Sequence, residues 1–229
     1  MDVTSFYKSF MKVSDTLNKF KADKFNFSKG VFSTYDDGIM TVITFNEKIE
    51  REIIELFPFK FDIYPTVFKF TEKHLRIQKI NFLDNEIEFL YKCENNKAMY
   101  EDKNFSKVMD HISKEGNLYR IKIDIGETEL YKKIISILNS LKEMNFDESK
   151  EFNIDIYKEI NSSEIPIVID DDRFYVRLSK STFQNVAKGD VASVKCIPYK
   201  DEKSLVFLTV TTVNKSDYQI LNIFNALYL

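Results

Sequence analysis

The sequence predicts an α+β protein made of two tandem, pseudo-repeated halves, each with antiparallel sheets and two helices. Three observations lead there. One amphipathic helix template occurs twice: Phe6, Phe10, Val13, Leu17 and Phe20 are matched 124 residues downstream by Leu130, Ile134, Ile137, Leu141 and Met144. That spacing puts each set on one helix face. Short alternating apolar segments are punctuated by Asp-Gly, Asp-Asn and Asn-Asn, which are turn signals between antiparallel strands. The order of elements (helix, hairpin, strand, short helix, three-strand meander) is the same in both halves, as in a divergent duplication. A chain of 229 residues that is 44% hydrophobic, with 21 Phe and 12 Tyr, has enough apolar surface for two small cores.

In order, the periodicity predicts a first helix over 5–22, then strands at 25–28 and 31–35. Asp36-Asp37-Gly38 reads as a hairpin turn, because Asp-Gly tolerates the positive φ of a tight turn, and Ile39 to Phe45 returns as a β-branched strand. Residues 46–57 fit either a short helix or a broken edge strand. Phe59 to Tyr64 alternates as a strand, and Pro65 opens a short helix through His74. Strands are expected near 75–82, 86–94 and 97–102, with Asp84-Asn85 and Asn95-Asn96 at the turns. Asp102 to Asn117 breaks the β pattern, with one or two helical turns around Phe105, Val108, Met109 and Ile112, ended by Gly116. The second half repeats the series: strand 118–125, helix 127–144, strands near 145–149, 152–158, 164–170 and 174–178, a short helix 179–188 closed by Gly189, and strands near 191–198, 204–213 and 217–228. The expected division is a first domain 1–102, a connector 103–117 and a second domain 118–229.

Composition narrows the function. No apolar run approaches the roughly 18–20 residues that span a bilayer, and the first residues lack a basic stretch followed by an apolar one. Cys93 and Cys196 read as reduced strand residues of a cytoplasmic protein. A net charge of −3 argues against a uniformly basic nucleic-acid coat. Lys outnumbers Arg 28 to 5, a bias that fits an AT-rich genome. Catalytic signals are weak. His74 and His111 lie in different elements with no Cys or carboxylate cluster at metal spacing. With 5 glycines and no glycine-rich loop there is little to cradle a nucleotide phosphate. Asp170-Asp171-Asp172 reads as a solvated turn, and Ser179 and Ser181 as a helix start. No cofactor, metal site or enzymatic activity is expected.

Phe61-Asp62-Ile63-Tyr64-Pro65-Thr66-Val67-Phe68-Lys69-Phe70 with the meander after it, and Phe174 through Gly189-Asp190, resemble the DNA sliding clamps, specifically the two-domain processivity clamps of T4-like phages, eukaryotes and archaea. The resemblance covers the whole length. It implies two clamp domains per subunit, three subunits closing into a ring with the helices inside, duplex DNA bound without sequence preference, and a DNA polymerase and an ATP-driven clamp loader as partners. With the AT-rich bias it points to a phage, hence to host-cell cytoplasm. The connector departs from the family pattern by its Lys content and apparent helix, and Ile223 to Leu229 is apolar where many clamps carry a polar tail.

In a clamp, the polar face of the first helix lines the bore. Lys8, Lys12 and Lys19, with Asp15 between them, lie opposite the Phe6/Phe10/Leu17 stripe, and Lys21 flanks them. Lysine suits sliding because its ammonium is a flexible point charge that follows the phosphates without a bidentate lock; an ordinary solvated helix face is the competing reading. The duplicated helix adds Lys132, Lys133 and Lys142, offset by Glu127, Glu129 and Glu143, and the short helices add Lys69, Lys73, Lys180 and Lys188. The four helices together carry about +6, leaving about −9 for the rest of a chain whose total is −3, as in a ring basic inside and acidic outside.

By resemblance, a strand near Lys97 to Asp102 would pair with one near Glu164 to Asp170 of the next subunit, closing the ring and removing exposed edges. Polymerase and loader peptides would dock beside Phe105, Met109 and Ile112, with Ile223 and Phe224 opposite, although each of these also fits plain core. Two other readings stay open: a monomeric clamp-fold viral processivity or transcription factor that holds DNA by charge, and a structural β-rich virion protein.

Overall fold

The computed structural model describes residues 3–20, 22–36, 38–46, 55, 57–143, 152–157, 164–169, 172–177, 191–201 and 204–227; beyond residue 142, side chains are described only at 210 and 212–223. The fold is α+β with antiparallel sheets. It divides into two compact units: Met1–Lys29 with Glu52–Tyr131, and Gly30–Arg51 with Lys132–Leu229.

The first unit is organised by helix α1 (Val3–Leu17), whose apolar stripe becomes its buried face: Phe6, Phe10, Val13 and Leu17 are each under 5% exposed. The helix ends five residues short of the expected 22, in a turn over 18–20 from which Phe20 still packs on Phe25. Strands β1 (Phe25–Ser28) and β4 (Phe61–Ile63) pair antiparallel. Helix α2 (Pro65–His74) starts on Pro65, where the missing N–H costs nothing. Strands β5 (Leu75–Phe82), β6 (Glu86–Cys93), β7 (Ser113–Glu115) and β8 (Leu118–Asp124) form a sheet in the order β5-β6-β8-β7.

Alternation fixes the register of this sheet. Ile87, Phe89 and Tyr91 of β6 lie opposite Ile123, Ile121 and Tyr119 of β8, and all six are buried. Their ring surfaces meet α1 and α2: Phe10 has its centroid 5.1 Å from Phe89 and 4.7 Å from Phe68. The other face is charged, with Lys122 on Glu86 at 2.7 Å, Arg120 on both Glu88 and Glu115, Asn81 donating to Glu88, and Lys79 and Lys92 exposed. A register shift between Ile77 and Lys79 breaks up the free edge of β5.

One buried polar cluster ties these elements to the helix that follows β8. Asp62, 4% exposed, accepts from Asn26 Nδ2 and Thr128 Oγ1 at 2.8 Å each, while its second oxygen lies 3.2 Å from Lys24 Nζ. Thr128 Oγ1 in turn accepts from the backbone N–H of Tyr131, an N-cap contact at the start of helix α5 (Glu129–Glu143). Replacing Asp62 by alanine removes the shortest acceptor of the buried Asn26 amide, which keeps the Phe61 carbonyl at 3.3 Å, and the acceptor of the half-buried Thr128 hydroxyl, so Asp62→Ala is expected to lower stability by about 1–2 kcal/mol. Lys24, a third exposed, rehydrates, which keeps the loss below that of a fully buried pair. A chemical-denaturation midpoint equal to that of the parent would refute this role.

The second unit takes strands from both ends of the chain. β2 (Val31–Asp36) and β3 (Ile39–Phe45) form a hairpin with Asp36 opposite Ile39 and Gly38 at φ +78, as the Asp-Gly signal requires. β3 then pairs with β14 (Tyr218–Leu227), followed by β13 (Ser204–Asn214), β12 (Val191–Asp201) and β9 (Phe152–Tyr157). Ile43 lies opposite Ile220, both buried, and Thr41 Oγ1 donates to Asn222 Oδ1 at 2.8 Å. β10 (Glu164–Ile169) and β11 (Asp172–Arg177) make a separate antiparallel pair.

The units therefore do not divide at 102 and 118. Residues 103–131 go with the first unit because β8 adds to β6, and 30–45 go with the second because β3 adds to β14. The strand expected at 97–102 is instead helix α3 (Asn96–Tyr100): Asn95 Oδ1 accepts from the Ala98 N–H at 3.1 Å and caps it, so the supposed turn residue starts a helix. Asn104 precedes a single-turn helix α4 (Phe105–Val108), which runs into a 3₁₀ turn at Met109–His111. Gly116, at φ +60, turns the β7–β8 hairpin and does not end a helix. The expected elements at 47–54, 145–149 and 179–188 lie outside the described residues. Among those residues no helix is long and apolar enough to cross a membrane.

Candidate nucleic-acid interface

Burying Phe6, Phe10, Val13 and Leu17 leaves Lys8, Lys12 and Lys19 exposed on the other side of the α1 segment. The spacing of Lys8, Lys12 and Asp15 puts those three in one row on α1, and Lys19 follows in the turn after the helix. Among the described residues none of the three lysines has a carboxylate partner. A fixed helix and the turn at its end, carrying exposed ammonium groups, are suited to phosphate contact without base readout.

α2 packs against α1 through Phe68 on Phe10 and Ser14 Oγ, which donates to the Pro65 carbonyl at 3.4 Å. Its lysines are engaged. Lys69 Nζ donates to Asp15 at 2.7 Å and to Glu72 at 3.3 Å, and these bonds raise its pKa above the ordinary lysine value. All three side chains are about half exposed, so these are weak, exchangeable surface pairs. Lys73 Nζ donates to Asp102 Oδ2 at 2.6 Å, the same oxygen lies 2.9 Å from His74 Nε2, and Oδ1 accepts from the Asn104 N–H at 2.8 Å. Lys73 first, then the Asn104 N–H and His74, hold the Asp102 carboxyl well below the usual carboxylate range. A cleft of about 410 Å³ opens between these groups, lined by Asn18, Thr66, Lys69, Lys73, Asp102 and Asn104 among others.

The remaining sequence-derived positions are scattered. Lys132, Lys133 and Lys142 are exposed on α5, and Lys133 Nζ sits 4.4 Å from the Tyr35 ring centroid in a cation–π contact. Lys21, Lys180 and Lys188 lie outside the described residues. Phe105 is half-buried, edge-on to Tyr100 at 5.0 Å and 6.1 Å from Phe70. Met109 is 50% exposed, and Ile112 is half-buried after the 3₁₀ turn. These three belong to the first unit, whereas Ile223, half-buried, and Phe224 belong to β14 of the second. The proposed subunit-closing pair loses one member, because Asn96–Tyr100 is helical and offers no ladder, and Glu164–Ile169 pairs within the chain with β11.

Sequence reasoning missed Asp102 and Asp62, the two carboxylates that organise the first unit. Their partners lie 28 or more residues away in sequence for His74, Lys73 and Asn26, so no local spacing reveals them. Asp15 was visible as the odd residue in the lysine row, and its pairing with Lys69 explains its place there. No protein-family model matches the chain, and no curated protein does.

Proposed function

We propose that this chain is a non-enzymatic processivity factor: a sliding clamp whose subunits form a homotrimeric ring around duplex DNA, tether a replicative DNA polymerase and are opened by an ATP-driven loader. The observation that carries this reading is the set Lys8 and Lys12 on α1 and Lys19 in the turn after it, exposed and free of carboxylate partners among the described residues, with the opposite face of the helix locked into an aromatic core. Three ammonium groups give weak, sequence-independent attraction. That is what a protein retained by topology needs, because tight contacts would stop it sliding. The antiparallel α+β construction and the helix-backed sheet are compatible with a clamp subunit.

The test is retention on nicked circular DNA after loading, repeated once the circle is linearised. A ring stays on the circle at elevated salt and runs off the linear form. Equal loss from both substrates sinks the topological mechanism, and a steep salt dependence with no effect of topology selects the monomeric charge-binding reading. Light scattering should report a trimer mass; a strict monomer at high concentration counts against the ring.

A further inference from the structure

The Lys73–Asp102 contact joins an exposed lysine to a buried carboxylate, and it is more lopsided than the Lys24–Asp62 pair, which has the same pattern. The Lys73 side chain is 67% exposed and faces the cleft, whereas the Asp102 side chain is 5% exposed. An incoming anion can therefore reach the cation, whereas the carboxylate is shielded from water. Asp102 is also the ionic link, among the described residues, between α2 and the segment 96–111. That segment presents Tyr100 and Met109 to solvent at 49% and 50% exposure. Its short turns hang on Asp102: the Asn104 N–H donates to the side chain, the Phe105 N–H donates to the Asp102 carbonyl, and the Lys107 N–H donates to the Asn104 carbonyl.

We infer that a phosphate group entering the α1/α2 cleft draws Lys73 away from Asp102 and loosens residues 101–107, so that DNA occupancy is reported to the surface carrying Tyr100 and Met109. The ligand is a backbone phosphodiester, and the inference rests on the DNA-facing role proposed for α1 and α2. Lys69 joins the exchange readily, since its own pairs with Asp15 and Glu72 are solvent-exposed. Once Lys73 leaves, Asp102 keeps only the His74 and Asn104 donors. A nearly buried carboxylate without its nearest cation favours conformations that return it to water. Met99 and Val108, both fully buried, keep the ends of the segment in place, which confines the response to the turns between them.

Hydrogen exchange of the full chain, read by mass spectrometry with and without a short duplex at low salt, tests this. Amides of Asn104 to Lys107 should exchange on the order of tenfold faster with saturating duplex, while β6 and β8 stay protected. Asp102→Asn keeps the size and the acceptor for Asn104; it should show the fast exchange without DNA and no further response. Lys73→Gln should do the same. Unchanged or slower exchange with duplex, or wild-type protection in Asp102→Asn, overturns the inference. Retention on circular DNA with unmoved exchange removes the Lys73–Asp102 inference and leaves the clamp reading intact. Accelerated exchange without topological retention removes the clamp and leaves the response of residues 101–107 to DNA.

Discussion

Phe10→Ala is expected to destabilise the protein by about 3–5 kcal/mol, the range for emptying a well-packed aromatic site. Phe10 is fully buried, and its ring meets Phe6, Phe57, Phe61, Phe68 and Phe89 with centroids 4.7–6.1 Å apart. Those five rings come from α1, the approach to β4, β4 itself, α2 and β6, so the side chain is the point where the helices are fastened to the sheet. Collapse around the gap is limited, because each neighbour is held by further ring contacts, such as Phe6 on Phe57 at 5.0 Å and Phe68 on Phe89 at 5.2 Å. Urea unfolding followed by circular dichroism measures the loss. Lys12→Ala, on the exposed side of the same helix, should shift stability by no more than about 0.5 kcal/mol. A Phe10→Ala loss as small as that of Lys12→Ala would mean that α1 is not seated on this core.

The core was largely legible in the sequence because periodicity reports burial directly. The stripe Phe6, Phe10, Val13, Leu17 became the buried face of α1, Pro65 opened α2, and Asp36-Asp37-Gly38 fixed a hairpin with the register that Asp-Gly favours. Pairing between distant strands was not legible. β3 carries the same alternation whether its second neighbour is β4 of its own half or β14 of the other, and β8 looks the same whether it opens a domain or completes a sheet. The segment 96–111 failed for a different reason. Asn95 is a fair turn residue and a good N-cap, and only the buried Met99 decides for the helix. In the candidate site, the row on α1 could be read from spacing, but whether a given lysine is free depends on carboxylates brought in by the fold. That is why Lys69 and Lys73 differ from Lys8, Lys12 and Lys19 although all five look alike in the sequence.

That difference makes the second large effect quantitative. Replacing Lys8, Lys12 and Lys19 together by glutamine should lower the slope of log K against log salt by about 3, since each free ammonium on a phosphate releases about 0.9 counterion. At physiological salt each such contact contributes a factor of roughly five, extrapolating the same relation from a molar reference, so the triple variant should bind duplex on the order of 100-fold more weakly. Glutamate at the three positions should weaken it further by repulsion. Fold stability should hold, because the three side chains are exposed and unpaired among the described residues. Lys69→Gln and Lys73→Gln should each change the slope by clearly less than 1, because a phosphate contact there must first give up a carboxylate at 2.7 or 2.6 Å, and the counterion released is partly the protein's own. Filter or anisotropy titrations at several salt concentrations separate the two groups. Equal slope changes for all five lysines would show that the ion pairs on α2 do not restrain them. A triple variant that binds like the parent would place duplex DNA elsewhere on the molecule, and the virion-protein reading would then gain over the clamp.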